Sequence, residues 1–70
     1  MPKIIQISLA AARVNAKLTQ DEVAKAMKVS KNTVVAWENG KAELRISQAR
    51  ELSELYHMPL DNIFLPSKSN

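Results

Sequence analysis

The chain has 70 residues, enough for one small domain with a single core. It contains no cysteine and one histidine, which excludes disulfide bonds, a cysteine nucleophile and the common zinc sites, and we expect no cofactor. Without a long apolar run or a signal peptide, a cytoplasmic protein that does not bind membranes is expected. Residues 1–41 contain seven Lys or Arg against three acids, and residues 42–70 contain three against four, so one end suits an anionic partner.

Start signals for two helices lie in the first third of the chain. Residues 1–7 include an early proline and several β-branched residues, and they are predicted to form an extended N-terminal segment. Ser8 is the expected N-cap of a first helix over residues 9–16. Thr19 and Glu22 have the spacing of a capping box, which predicts the start of a second helix.

The second and third predicted helices are separated by only three residues. The second is predicted to end near Met27, and Ser30 is the expected N-cap of the third, which ends before Gly40 because glycine readily becomes left-handed. Two helices joined so closely must cross at a steep angle, so one face of the third is buried and the other projects. Val34 and Trp37 have the spacing of the buried face.

The C-terminal part is predicted to contain a fourth helix over residues 46–57 and a short turn of helix over 60–65, with Pro59 between them. The face of the fourth helix predicted to point inward consists of Ile46, Ala49, Leu52, Ser53 and Tyr56. Residues 66–70 are polar and are predicted to be a flexible tail. The predicted class is therefore all-α, a compact five-helix domain over residues 8–65.

The projecting face of the third helix carries side chains suited to the edges of DNA bases. An α-helix fits the major groove, lysine donates to guanine, asparagine pairs with adenine, and small apolar groups contact thymine methyls. The residues of this face are Lys31, Asn32, Val35, Ala36 and Asn39. The same residues would equally suit an ordinary solvated surface, so both interpretations stand on the chemistry alone.

Three motifs at defined spacing surround these helices. They read Leu18-Thr19-Gln20-x-Glu22-Val23-Ala24, Val29-Ser30-x-x-Thr33-Val34 and Trp37-Glu38-Asn39-Gly40-Lys41. Together they resemble the phage Cro/repressor-type helix-turn-helix family, and the resemblance extends from about Ser8 to Phe64. It implies a lambda-repressor-like fold and a transcriptional regulator of phage or prophage origin, which places helix 31–39 in the major groove of double-stranded DNA.

The resemblance also implies roles for individual residues. It places Lys31, Asn32 and Ala36 against the bases, beside Val35. The implied phosphate contacts are Gln20, Ser30, Thr33, Asn39 and Lys41. Arg13 and Glu38 resemble the structural salt bridge of the family. Departures from the family pattern include Lys17, Lys28 and His57, which stand where glycine is frequent. At Lys28, in the turn, a positive φ would cost about 1 kcal/mol.

The family commonly dimerises near its C-terminal end, so a homodimer is expected, at least on DNA, and no small-molecule effector is expected. Ile63 and Phe64 would either close the core or form an exposed patch for self-association. Two other functions stay open: an antitoxin whose main partner is a toxin, with DNA binding as autoregulation, and a nucleoid-type binder without sequence preference. No phosphate loop and no nucleophile with its base is present, so an enzyme is not predicted.

Overall fold

A computed structural model describes the backbone of residues 6–64 and the side chains of residues 6–63. Within this part of the chain, four α-helices account for most of the structure: α1 (Leu9–Asn15), α2 (Gln20–Met27), α3 (Lys31–Glu38) and α4 (Ile46–Leu55). A 3₁₀ turn (Leu60–Asn62) and two short strands, β1 (Ile7–Ser8) and β2 (Ile63–Phe64), complete it. No helix among the described residues is long and apolar enough to cross a lipid bilayer.

The N-termini of the first three helices are capped as the sequence predicts. Ser8 Oγ accepts a hydrogen bond from the backbone N–H of Ala11 at 3.0 Å. Thr19 and Glu22 form the reciprocal capping box, with bonds of 3.1 and 2.8 Å. Ser30 is the N-cap of α3. These local bonds satisfy backbone donors that have no partner inside the helix, so each helix begins where its cap stands.

All four α-helices end in the same way, on a residue with positive φ. The four residues are Lys17 (φ 62°), Lys28 (φ 60°), Gly40 (φ 72°) and His57 (φ 54°). After each of them, the next backbone N–H reaches back to a carbonyl in the last turn, as Val29 N does to Ala24 O at 2.9 Å. This is the Schellman arrangement, which prefers glycine. The expected positive φ of Lys28 is confirmed.

A single core lies between the helices and the strands. The buried apolar residues are Leu9, Ala12, Val23, Ala24, Val34, Trp37, Ala49, Leu52, Tyr56 and Ile63. Trp37 is only 2% exposed, so its predicted place in the core is confirmed. Each large apolar side chain buried in this way contributes about 1.5–3 kcal/mol, and together they fix the orientation of α3 against α1 and α2.

The prediction that Ile46 faces the core is wrong. This side chain is 62% exposed, whereas Ala49 and Leu52 on the same face of α4 are each 1% exposed. Ile46 is the first residue of α4 and projects past the edge of the core. Helical phase gives the direction of a side chain, but it does not say whether another element lies opposite.

The predicted fifth helix over residues 60–65 is present only as a 3₁₀ turn over Leu60–Asn62, and the prediction is wrong for Ile63 and Phe64. The described residues of that segment form a 3₁₀ turn followed by β2, which pairs in parallel with β1 in the register Ile7↔Ile63 and Ser8↔Phe64. The extended backbone of β2 replaces the helix because β1 offers it a hydrogen-bonding partner. Ile63 is buried against the core. Residues 1–5 and the predicted tail over 66–70 lie outside the described residues.

Candidate nucleic-acid interface

Helices α2 and α3 pack directly against each other across a turn of three residues. Lys28 is left-handed, which reverses the chain direction sharply at the end of α2. Val23 on α2 is fully buried, and Val34 and Trp37 on α3 are 1% and 2% exposed. The inner face of α3 is therefore held in the core, and its opposite face projects from the domain as a convex ridge.

The structure brings the predicted base-contacting residues together on this ridge. Lys31 and Asn32 occupy the first turn of α3 and are exposed, while Val35 and Ala36 lie one turn further along and are half-buried. The first turn thus presents an ammonium group and an amide, and the next turn presents two short apolar side chains. This order leaves room for a helix to approach the floor of a groove closely, with its polar donors at one end.

The hydroxyl groups of Ser30 and Thr33 form a pair at the start of α3. Their oxygens are 3.0 Å apart, and Ser30 Oγ also accepts the backbone N–H of Thr33 at 3.2 Å. Two hydroxyl groups carry two protons, and their mutual bond uses one of them. The second proton remains available to an external acceptor such as a phosphate oxygen.

A hydrogen-bonded network joins α1, α2 and α3 behind the ridge. Arg13 Nε lies 2.7 Å from Glu38 Oε2, and Arg13 also donates to the carbonyl of Leu18 at 3.0 Å. The other oxygen of Glu38 accepts a bond from Gln20 Nε2 at 3.0 Å. The side chains of Arg13 and Glu38 are 15% and 6% exposed, so removing either one would leave its partner as an unpaired charge in the interior.

Gln20 is therefore a network residue as well as a predicted phosphate contact. Sequence reasoning did not find its bond to Glu38, because the two residues are 18 positions apart and no local pattern joins them. The bond uses one N–H of the amide and leaves the second for another acceptor. It also fixes the first turn of α2 relative to the end of α3.

Burial and the neighbouring network together change the acidity of Tyr56. This residue is 3% exposed, and the pKa of its hydroxyl is raised from 10.0 to about 12. Burial is the largest cause, the negative charge of Glu38 adds to it, and the positive charge of Arg13 opposes both. A phenolate is therefore strongly disfavoured beside this network, and the tyrosine stays neutral well above neutral pH.

The far end of α3 carries the remaining predicted phosphate contacts. Asn39 is the C-cap of α3 and is exposed, and Lys41 follows Gly40 with an exposed side chain. The backbone N–H of Lys41 donates to Ala36 O at 2.8 Å. This bond closes the end of the helix and fixes the backbone position of Lys41. Polar groups therefore stand at both ends of the ridge, with the short apolar side chains between them.

One charged neighbour of the ridge was missed by sequence reasoning. Asp21, in the first turn of α2, lies with its Oδ2 atom 3.9 Å from Lys31 Nζ, and both side chains are more than half exposed. The two residues are distant in sequence, and only the crossing of α2 over α3 brings them together. The ridge is thus not uniformly basic.

Comparisons with known proteins identify the family of this chain. The sequence profile of the helix-turn-helix family matches residues 9–63, which is most of the chain. The cryptic phage CTXphi transcriptional repressor RstR of Vibrio cholerae is 33% identical over 58 residues, covering 83% of this chain and 52% of the repressor. The chain therefore spans about half the length of that relative. No solved structure shows a significant match. The resemblance found in the sequence is confirmed, and the chain belongs to the helix-turn-helix family.

Proposed function

We propose that this protein is a sequence-specific, double-stranded-DNA-binding transcriptional regulator, a Cro-like phage or prophage repressor. The observation that carries the proposal is the ridge of α3, which is held by a buried inner face and presents exposed Lys31 and Asn32. A projecting helix of this kind fits the major groove. The similarity to a phage transcriptional repressor supports the same conclusion.

Base reading is assigned to the outward face of α3. Lys31 would donate to O6 and N7 of guanine, and Asn32 would pair with N6 and N7 of adenine. Val35 and Ala36 would contact thymine methyl groups, and their small size would let the helix backbone approach the base edges. Hydrogen bonding is concentrated in the first turn of α3, so discrimination should be strongest at the base pairs that face that turn.

Phosphate contacts would hold α3 in register from both sides of the groove. At one side, the second N–H of the Gln20 amide and the second proton of the Ser30–Thr33 hydroxyl pair would contact phosphates from the starts of α2 and α3. At the other side, Asn39 and Lys41 extend from the end of α3. Such contacts fix orientation and register, whereas sequence is read at the bases.

Repression would follow from occupancy, because a bound protein blocks access of polymerase to the same DNA. We propose a homodimer on DNA, which would recognise a near-palindrome with half-sites about 34 Å apart, one turn of B-DNA. The dimer would act in the cytoplasm, on the chromosome, without a small-molecule effector. The antitoxin alternative is not favoured, since the family and the relative both point to a regulator.

Selection of bound duplexes from a random library tests the proposal. At about 150 mM salt, where nonspecific phosphate binding is weakened, we expect an enriched motif with two-fold symmetry. The matched control is Asn32→Ala, which should lose enrichment at the positions it reads while remaining folded, because Asn32 is exposed. Recovery of duplexes without a shared motif would overturn sequence-specific regulation and favour the partner-binding or nonspecific alternatives.

A further inference from the structure

An exposed ion pair joins the first turn of α2 to the first turn of α3. Lys31 Nζ lies 3.9 Å from Asp21 Oδ2, and the two side chains are 54% and 74% exposed. Asp21 is not needed to cap α2, because Thr19 and Glu22 already form the complete capping box. In the part of the chain that the structure describes, Lys31 is the cation with which Asp21 forms a salt bridge.

We propose that Asp21 is a specificity-determining residue that suppresses nonspecific DNA binding by sharing the ammonium group of Lys31. The inference rests on the proposed function, in which Lys31 reads guanine. Since its carboxylate is within 3.9 Å of that ammonium group, Asp21 lies at the DNA-facing edge of the ridge. A carboxylate placed there competes with DNA phosphates for the positive charge of Lys31.

Base edges and phosphates, two kinds of hydrogen-bond acceptor on DNA, interact differently with an ammonium group that is paired with Asp21. An ammonium group has three donors, so Lys31 can bond O6 and N7 of guanine and still keep its ion pair with Asp21. The edge of a base is neutral, and this arrangement brings no like charges together. A phosphate is anionic, so its contact with Lys31 either draws the ammonium away from Asp21 or places two negative charges side by side. The penalty therefore falls mainly on phosphate contacts, which dominate nonspecific binding.

The test is the variant Asp21→Asn, measured with the selected duplex and with a scrambled duplex of the same composition. Asp61→Asn is the matched control, since it removes the same charge from an exposed residue of the 3₁₀ turn near Gln6. Relative to this control, Asp21→Asn should tighten binding to the scrambled duplex by about two- to fivefold, the range of an exposed ion pair. Affinity for the selected duplex should change less, and the salt dependence of scrambled binding should steepen by about one phosphate contact.

A second variant separates the action through Lys31 from general repulsion. In a Lys31→Gln background, the differential effect of Asp21→Asn should vanish, because no ammonium group remains to be shared. Persistence of the effect in that background would overturn the proposal, and so would Asp21→Asn behaving like Asp61→Asn. A wild-type protein that binds both duplexes alike would instead overturn the proposed function, and this inference with it.

Discussion

At the scale of single residues, three helices end on a left-handed residue that carries a Cβ atom. Lys17, Lys28 and His57 hold φ values between 54° and 62°, and the carbonyl groups of the last turn are nevertheless satisfied. For an L-residue this conformation costs about 1–2 kcal/mol, a cost that glycine escapes. Glycine loses more chain entropy on folding, so the net gain from a replacement is smaller than the strain it removes.

Lys28→Gly should therefore stabilise the domain by about 0.5–1 kcal/mol. The measurement is the free energy of unfolding, obtained by urea titration of the protein alone, so that the lost positive charge cannot act through DNA binding. Lys25→Gly is the matched control, since Lys25 is an exposed helical residue of α2, and glycine there should destabilise by a similar amount. Equal destabilisation by the two variants would contradict the strain assigned to Lys28.

Tyr56 makes a second prediction at this scale, through its raised pKa. The hydroxyl has a pKa of about 12 in the folded protein and 10.0 as a free group. The folded-state pKa is the higher one, so between pH 10 and 12 the hydroxyl ionises in the unfolded state while it stays neutral in the folded protein. The contribution of Tyr56 to the free energy of unfolding is therefore complete below pH 10 and is lost as the pH rises through 12. The expected loss over that window is about 2–3 kcal/mol, because one pKa unit corresponds to about 1.4 kcal/mol.

The chain has a single tyrosine, so alkaline titration of tyrosinate absorbance reports on Tyr56 alone. The free energy of unfolding should fall more steeply between pH 10 and 12 in the wild type than in Tyr56→Phe, which keeps the buried ring. Lysine titration affects both proteins and cancels in the comparison. Parallel pH profiles, or an ordinary tyrosinate midpoint, would show that burial and Glu38 do not act on the hydroxyl as described.

At the scale of elements, two isoleucines of the C-terminal half differ in burial, one lying in the core and the other on the surface. Ile63 in β2 is 2% exposed, and Ile46 in the first turn of α4 is 62% exposed. Ile63→Ala should destabilise the domain by about 2–4 kcal/mol, through lost burial and the cavity left behind. Ile46→Ala should change stability by less than about 0.5 kcal/mol, the usual limit for an exposed position.

Thermal unfolding of the two variants, side by side, measures this difference with the same chemical change at both positions. Comparable losses would mean that β2 does not close the core at Ile63. The pair also tests whether the side chain of Ile63, the residue that pairs with Ile7, anchors β2 to the core.

Local signals predicted most of the elements and missed the nonlocal ones. Ser8, Thr19 and Ser30 cap their helices through bonds to residues three positions away, so the sequence contains the complete signal. The strand pairing joins Ile7 to Ile63 across almost the whole chain, and no local pattern encodes it. The candidate ridge was predictable because helical phase separates buried from outward positions on α3. The bond from Gln20 to Glu38 and the ion pair at Lys31 required the crossing geometry of α2 and α3.

At the scale of the whole molecule, the proposed function divides the ridge into residues that read bases and residues that hold the backbone. Asn32 lies in the first turn of α3 and Lys41 lies beyond its end, and both side chains are exposed. Neither replacement by alanine should unfold the domain. Their effects on DNA binding should differ in kind, because base contacts depend on sequence and phosphate contacts depend on salt.

Asn32→Ala should weaken binding to the selected duplex by about 1–3 kcal/mol and leave scrambled binding nearly unchanged. Lys41→Ala should weaken binding to both duplexes alike and reduce the salt slope by about one contact. Arg50→Ala, at an exposed position of α4, controls for the loss of one positive charge elsewhere. The measurement is the equilibrium affinity of each variant for both duplexes across a salt series. If Asn32→Ala weakened binding to both duplexes equally, Asn32 would be a phosphate contact. Base reading would then depend on Lys31, Val35 and Ala36.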